Sequence, residues 1–579
     1  METPLVISRE KWENLEHRGV AFPPEYVPRG ISIVIFGEKI FLDRYQEELI
    51  YAWAKKKDTH YAKDVVFQSN FLYDLKKILP EKFQKITRID DIDLSEACIL
   101  VQKETKIKED EKVRLETIPR DERKKISQAK KQEKERLKGI FGKAYVDEVE
   151  VDVANWLVEP PGIFMGRGQH PLRGRWKPRI TPSDVILNLG EGTPVPEGSW
   201  KEVVHDHKST WLACWTESLT GKRKYVWLHD SASLRQDNDK AKYDRAKVLE
   251  KYIGKVRTEI IARMLRKKDY RERKIATVCY LIFKLAMRVG DEKDPDEADT
   301  VGATTLRVEH IKFPQKENML SIEFNFLGKD SVPWQKILDV NSEDTEGLYD
   351  NLIYFTKGKN QKDQIFEDVN SSKVNAFLRL IDSKNMPNLT AKVFRTYVAT
   401  QAVKESLRNP HMTLNKTDTE AKKIYIAKMA NLQAAITCNH KKGIDPNNPA
   451  AKKMLERFEI SVAAKKEKMR QLKSELDTLK FKTEKQIHKM RERLEKLDLQ
   501  LKLQQETKDY NLGTSLRNYI DPRVLKAWAD YMDLDWTRIY TATLQRKFKW
   551  VEQYPKGDLR KYLGTAMNKQ LILTNTPPK

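Results

Sequence analysis

Residues 451–505, AKKMLERFEISVAAKKEKMRQLKSELDTLKFKTEKQIHKMRERLEKLDLQLKLQQ, read as a coiled coil and divide the chain. Leu455, Phe458 and Val462, then Met469, Leu472, Leu476 and Leu479, alternate three and four residues apart, with Lys465 in one seam position. The phase breaks around Phe481–Gln486 and resumes at Ile487, Met490, Leu494, Leu497 and Leu501. Such a repeat lays one apolar stripe against a partner helix. A single discontinuity fits an antiparallel hairpin folding back near Phe481 or one long stuttered helix, and a dimerisation zipper is a competing use.

Working outward, residues 509–579 form a small helical module with Trp528, Trp536 and Trp550 as its core. On the other side, KVLEKYIGKVRTEIIARML (247–265) and KIATVCYLIFKLAMRVG (274–290) have helical periodicity, which returns from 371 to about 440. MLSIEFNFLGKDSVPWQKIL (319–338) reads as strand, tight turn, strand. Residues 150–232 are β-like around a Pro-, Gly- and Arg-rich loop, VEPPGIFMGRGQHPLRGRW. PRDERKKISQAKKQEKERLKG (119–139) lacks an apolar stripe and suits a solvated, charge-laced helix. Near the start, ISIVIFGEKIFL (31–42) predicts two strands about Gly37, and LDRYQEELIYAWAKK an amphipathic helix. The expected class is multidomain α+β. Its divisions are a cap at 1–118, connector helices at 119–149, a β-rich lobe at 150–233, a mainly α domain at 234–445, a coiled-coil linker at 446–508 and a C-terminal module at 509–579.

Composition narrows the function. Of 579 residues, 39% are hydrophobic and 33% charged, and 12 Trp, 21 Tyr and 19 Phe suffice for real cores. Lys and Arg number 108 against 85 Asp and Glu, a net charge of +23 that points to a polyanionic partner such as nucleic acid. The four cysteines, Cys98, Cys214, Cys279 and Cys438, form no CxxC pair, which argues against a zinc ribbon or disulfide scaffold. There is no run of about 20 apolar residues for a membrane span, and METPLVISREKWENLEHRG carries no secretory or transit pattern. The expectation is a soluble protein inside the cell. No Gly-Lys is followed by Ser or Thr, so no Walker A loop signals ATP use. His205 and His207 would share a face of a strand, but without a third ligand no metal is expected.

Five residues stand out within apolar segments or at turns: Arg288 after a strongly apolar helix, Lys329 at a hairpin tip, Arg395, His440 and Tyr519. Cations seldom sit in apolar helices without a partner. Two arginines, a lysine and a histidine converging on one point would make a phosphate-oxyanion site, and a nearby tyrosine could be its nucleophile. Taken singly, each also fits a core histidine, a surface lysine or a buried hydroxyl.

Several motifs together resemble eukaryotic-type DNA topoisomerase IB. EHRGVAFPPEYVP, EPPGIFMGRGQHP, WKEVVHDHKSTWLACWTE, KLAMRVGDEKD, EADTVGATTLRVEHIKF, EFNFLGKDS, LTAKVFRTY, CNHKK and GTSLRNYIDPR occur in the family's order, from about residue 11 to the C-terminus. The resemblance implies a DNA clamp with a two-lobed cap, a catalytic domain shared with tyrosine recombinases, an antiparallel linker and a small domain bearing the nucleophile. It implies Tyr519 as that nucleophile, Arg288, Arg395 and His440 as ligands of the scissile phosphate, and Lys329 as general acid. Arg167, Asp330, Asn518 and Lys392 resemble residues flanking the cleavage site and lining the camptothecin pocket; Met165 stands where arginine is common.

The family relaxes supercoils of both signs through a 3′-phosphotyrosyl intermediate, as a monomer, with no ATP and no required metal. Double-stranded DNA is the implied partner, and camptothecin-type inhibitors the implied drugs. Nuclear members carry a long charged arm before the core, whereas here the core begins almost at once. The expectation is an archaeal-type member, located with the DNA of the nucleoid, or in the nucleus if the host is eukaryotic. A tyrosine recombinase, or a clamp that has lost catalysis, is the alternative.

Overall fold

The computed structural model describes residues 10–166, 169–291, 301–316, 319–329, 332–408, 414–443, 449–477, 483–555 and 560–562. They form two compact units that divide after Gln236. The architecture is multidomain α+β, with several small sheets among many helices.

The first unit begins with β1 (Leu15–His17), β2 (Ser32–Ile35) and β3 (Glu38–Phe41). β2 and β3 pair antiparallel across Phe36 and Gly37, whose φ angles of 51° and 82° are the two left-handed conformations a tight two-residue hairpin demands. α1 (Arg44–Ala54) starts in a capping box: the Asp43 carboxylate accepts from the Gln46 N–H, and the Gln46 side chain accepts from the Asp43 N–H. α1, α2 (Val65–Ile78), β4 (Ile92–Asp93) on the other edge of β2, and the start of α3 (Ser95–Thr117) enclose Leu49, Ile50, Trp53, Phe67, Phe71 and Leu75.

α4 (Arg120–Phe141) is the charged helix expected near 119–139. It leads to the hairpin of β5 (Lys143–Val146) and β6 (Val149–Asp152), then to the pair β7 (Gly162–Ile163) and β8 (Trp176–Lys177). β9 (Val185–Asn188), β10 (Glu202–Val204), β11 (Trp211–Thr216) and β12 (Arg223–Trp227) form a sheet in the order β10-β9-β11-β12, with β10 parallel to β9.

Two boundaries differ from the local reading. Trp12, Leu15, Val20 and Ala21 pack with Val185, Leu187, Leu212 and Val226 in the β-rich lobe, not with the cap, and β1 pairs with β5 in register from Leu15 opposite Val146. Residues 143–149, within the expected connector helices, are largely this hairpin. Pairing between strands about 130 residues apart leaves no mark in local periodicity. His205 and His207 hold structure together: their Nδ1 atoms lie 2.7 and 3.0 Å from the carbonyls of Leu189 and Trp12.

α5 (Ser233–Leu265) and α6 (Tyr270–Leu285) lead into the second unit. β13 (Ile311–Lys312), β14 (Gln315–Lys316) and β16 (Val332–Asp339) all pair with β15 (Met319–Gly328), which with β16 forms the expected 319–338 hairpin. α7 (Glu343–Thr356), α8 (Ser371–Ile381) and α9 (Ala391–Arg408) complete a core around Leu281, Phe324, Trp334, Phe355 and Phe394. α10 (Glu420–Thr437) packs along α9.

α11 (Pro449–Asp477) and α12 (Glu484–Glu506) pair antiparallel: Lys465 bonds Gln504 and Lys508 lies over the Phe458 ring, so numbers rise along one helix as they fall along the other. The seam's polar position, Lys465, therefore has a polar partner. Residues 478–482, including the phase break at Phe481, lie outside the described residues. α13 (Leu512–Asn518), α14 (Pro522–Tyr531) and α15 (Ala542–Lys547) follow. Trp528, Trp536 and Trp550 are core residues, but that core also holds Tyr243, Ala399, Val403 and Ala430, so the C-terminal module shares its interior with α5, α9 and α10.

Candidate active site

The second unit brings Arg288, Lys329, Arg395 and His440 to one pocket of about 120 Å³, walled also by Gly302, Phe326, Trp334, Cys438, Asn439, Lys441, Asn511 and Thr514. No carboxylate is among the described residues that line it. Arg288, Lys329, Arg395 and the neighbouring Lys441 put four cations around one small space, and with no compensating anion among the described residues they make a site for an anion.

Local structure aims each group. α6 ends at Ala286, which adopts the left-handed conformation with φ 52° and turns the chain toward Arg288. The Arg288 carbonyl then accepts from the Ala303 N–H at 2.8 Å. Here Gly290 crosses Gly302, where an added Cβ on Gly290 would lie 2.8 Å from the Gly302 Cα and φ is 83°, so glycine is required. Lys329 follows β15 at the hairpin tip and is exposed.

His440 is placed by the end of α10. Asn439 is left-handed at φ 51°, its N–H donates to Ile436, and the His440 N–H donates to Ala435 at 2.8 Å, the bond pattern of a Schellman cap. Tyr519 ends α13, its N–H donating to Ser515 at 2.9 Å and its carbonyl accepting from the Thr400 hydroxyl at 3.3 Å.

Arg395, in the first turns of α9, is buried. One Nη donates to the Ala286 carbonyl, and the other donates to the Cys438 carbonyl at 3.1 Å and lies 3.5 Å from His440 Nε2. Its guanidinium carbon is 5.1 Å from the centre of the Tyr519 ring. Arg395 Nε and His440 Nδ1 are buried and have no partner among the described residues; buried donors of this kind call for a ligand. Burial, with the charges of Arg395 and Arg288, holds His440 down at about 3, so the imidazole is neutral. Burial and Arg395 likewise lower Arg288, against an opposing interaction with Tyr519. Burial raises the Cys438 thiol despite Arg395, Lys336 and Arg288.

Of the other residues expected here, Lys392 in the first turn of α9 and Asn518 beside Tyr519 are exposed, and neither lines the pocket; Asn518 Nδ2 donates to Thr514 at 3.2 Å. Arg167 and Asp330 lie outside the described residues. Lys336 of β16, which sequence reasoning passed over, reaches the carbonyls of Leu285 and Thr437 behind the pocket. Strand alternation was the available signal, because Lys336 shares a face with Trp334 and Leu338.

Comparison with known proteins identifies the family. The model of the eukaryotic DNA topoisomerase I catalytic core matches residues 231–476, that of its DNA binding fragment residues 10–228, and that of a C-terminal topoisomerase domain residues 491–559. DNA topoisomerase I, mitochondrial, of Homo sapiens is 32% identical over 566 residues, covering 93% of this chain and 90% of its own length. The chain belongs to the eukaryotic DNA topoisomerase I family.

Other topoisomerase I proteins are similar over the same region. DNA topoisomerase 1 of Caenorhabditis elegans is 36% identical over 560 residues and DNA topoisomerase 1 alpha of Arabidopsis thaliana 35% over 570, covering 93% and 94% of this chain. The chain spans 66% of the length of the worm protein and 58% of the plant protein. The topoisomerase catalytic-core match contains Arg288, Lys329, Arg395 and His440, and the C-terminal match contains Tyr519. Among the described residues no helix is long and apolar enough to cross a membrane.

Proposed function

We propose that this chain relaxes positive and negative DNA supercoils by cutting and resealing one strand of a duplex, with no ATP or required metal. The observation that supports this most is the cationic pocket, with no carboxylate among its described lining residues, set against Tyr519. A phenol with a pKa near 10 is a poor nucleophile at neutral pH unless its developing charge is stabilised. Arg288 and Arg395 do this, and they also offset charge on the non-bridging oxygens of the transition state.

Tyr519 Oη attacks the scissile phosphorus; its proton leaves to solvent, the bond from phosphorus to the 5′ oxygen breaks, and Lys329 protonates that oxygen. Arg395 Nε–H is one donor free for the phosphate. With His440 Nε2 facing the Arg395 guanidinium as acceptor, the proton of the neutral ring sits on Nδ1, the second free donor. The product is a 3′-phosphotyrosyl bond and a free 5′ hydroxyl. The cut strand rotates and the hydroxyl attacks back. One phosphodiester replaces another, so no nucleotide hydrolysis is needed.

The partner is double-stranded DNA, bound by a monomer mainly through phosphates, so affinity falls steeply with salt. The chain works where the DNA is, in a nucleus or nucleoid. Camptothecin-type inhibitors would trap the covalent complex, with Arg167, Asp330, Asn518 and Lys392 the contacts that the family resemblance suggests. The test is plasmid relaxation in EDTA without ATP, for wild type and Tyr519→Phe, with covalent adducts read on denaturing gels. Relaxation of both supercoil signs and an adduct, for wild type alone, are expected. Strand transfer without relaxation would indicate a recombinase, and binding without an adduct an inactive clamp.

A further inference from the structure

Two helices end at the rear of the pocket, and two cations hold both ends. The Lys336 ammonium donates to the Leu285 carbonyl at 3.1 Å and to the Thr437 carbonyl at 3.4 Å, the last residues of α6 and α10. Arg395 takes the next carbonyl of each chain, Ala286 and Cys438. The final carbonyls of a helix have no partner within the helix and carry its negative partial charge, so a cation between two such ends satisfies both. Beyond these ends the chain reaches Arg288 within three residues of Leu285 and His440 within three of Thr437.

Lys336 is well placed to be rigid. It stands on β16 opposite Phe324, in a hairpin whose inner face holds Phe324, Phe326 and Trp334 in the core. Its Nζ lies 5.5 Å from the centre of the Trp334 ring. It forms no ion pair with a carboxylate among the described residues, and the titratable groups facing it are Cys438 and Arg395. Burial holds the ammonium below its ordinary value, so this charge is kept at a cost that the helix carbonyls offset.

We infer that Lys336 is a positioning residue for strand cleavage: by clasping the C-termini of α6 and α10 it sets the separation of Arg288 and His440 across the scissile phosphate. The inference rests on the proposed reaction. Displacement of a catalytic group by about 1 Å can cost about 100-fold in rate, and Lys336 is one of the two side chains that tie these helix ends together.

The experiment uses the full chain and a duplex whose cut strand leaves after cleavage, giving single-turnover cleavage rates. Lys336→Met is expected to slow cleavage about 10- to 100-fold while DNA affinity at fixed salt and thermal midpoint stay near wild type. Lys336→Arg, which keeps a cationic donor, is expected to recover most of the rate. Combined with His440→Gln, Lys336→Met should slow cleavage less than the product of the single effects, because part of its effect acts through His440. Wild-type rates for Lys336→Met, or a slow rate that multiplies fully with His440→Gln, would overturn the inference. If Lys336→Met does not fold, Lys336→Gln, which can still donate to one carbonyl, carries the same test. No cleavage by wild type would count against the proposed reaction instead, and so separates the two failures.

Discussion

The imidazole of His440 and the phenol ring of Tyr519 lie 5.1 Å apart between centroids, inclined at 32°. The histidine is thus beside the proposed nucleophile and neutral, a hydrogen-bond donor rather than a charge. With its pKa near 3, its titration falls outside the range from pH 5 to 8. Cleavage rates measured over that range are expected to show no inflection that His440→Gln removes. An inflection near pH 6 in wild type, absent from the variant, would contradict a neutral imidazole.

The proposed general acid has its own signature. Lys329 sits at an exposed hairpin tip on the pocket rim, so replacing it should disturb chemistry and not folding. Lys329→Ala is expected to slow cleavage by about 100- to 10,000-fold. Replacing the scissile 5′ oxygen with sulfur, whose thiolate leaves without a proton, should return the variant close to the wild-type rate on the same substrate.

Acid should weaken the first unit through His17. This ring is buried, accepts from the Gly19 N–H at Nδ1 and faces the Asn188 carbonyl with Nε2, both at 3.0 Å. The neutral form is therefore built in, and burial lowers its pKa from 6.5 to about 4. Between these values the unfolded chain binds the extra proton, so stability falls as pH drops from 6.5 toward 4, by about 3 kcal/mol in total. Denaturant titrations across this range should show that loss, and His17→Gln should show less of it.

Near Tyr519, Arg523 is 1% exposed and anchors the start of α14. It donates to both oxygens of buried Asp521 at 2.8–3.1 Å and to Asp244 at 2.6 Å. Arg523→Met strands the Asp521 carboxylate and is expected to cost about 3–5 kcal/mol in urea unfolding. Adding Asp521→Asn should give a double variant less destabilised than the sum of the two.

Much of the site was legible before any coordinates. Arg288 and Arg395 were visible as cations in apolar helices, and Lys329 sat at the tip of a hairpin whose alternation was plain. Lys336 was not, because strand alternation puts it on the inner face but does not show the helix-end carbonyls of Leu285 and Thr437 that it meets there. His440 showed as a histidine after an apolar helix, but its depressed pKa arises from burial beside two arginines that are distant in sequence.

The sequence alone determined the α+β class, the 319–338 hairpin and the coiled-coil stripe, because periodicity and residue type report which face of an element is buried; the five residues proposed for chemistry took their roles from the family resemblance. Tertiary structure decided the rest. It folded the stripe into an antiparallel pair by setting Lys465 on Gln504, drew residues 12–21 into the β-rich lobe, and joined two helix ends through Lys336 and Arg395. Each of these is a contact between segments far apart in the chain, and local pattern shows that a face needs a partner without naming it.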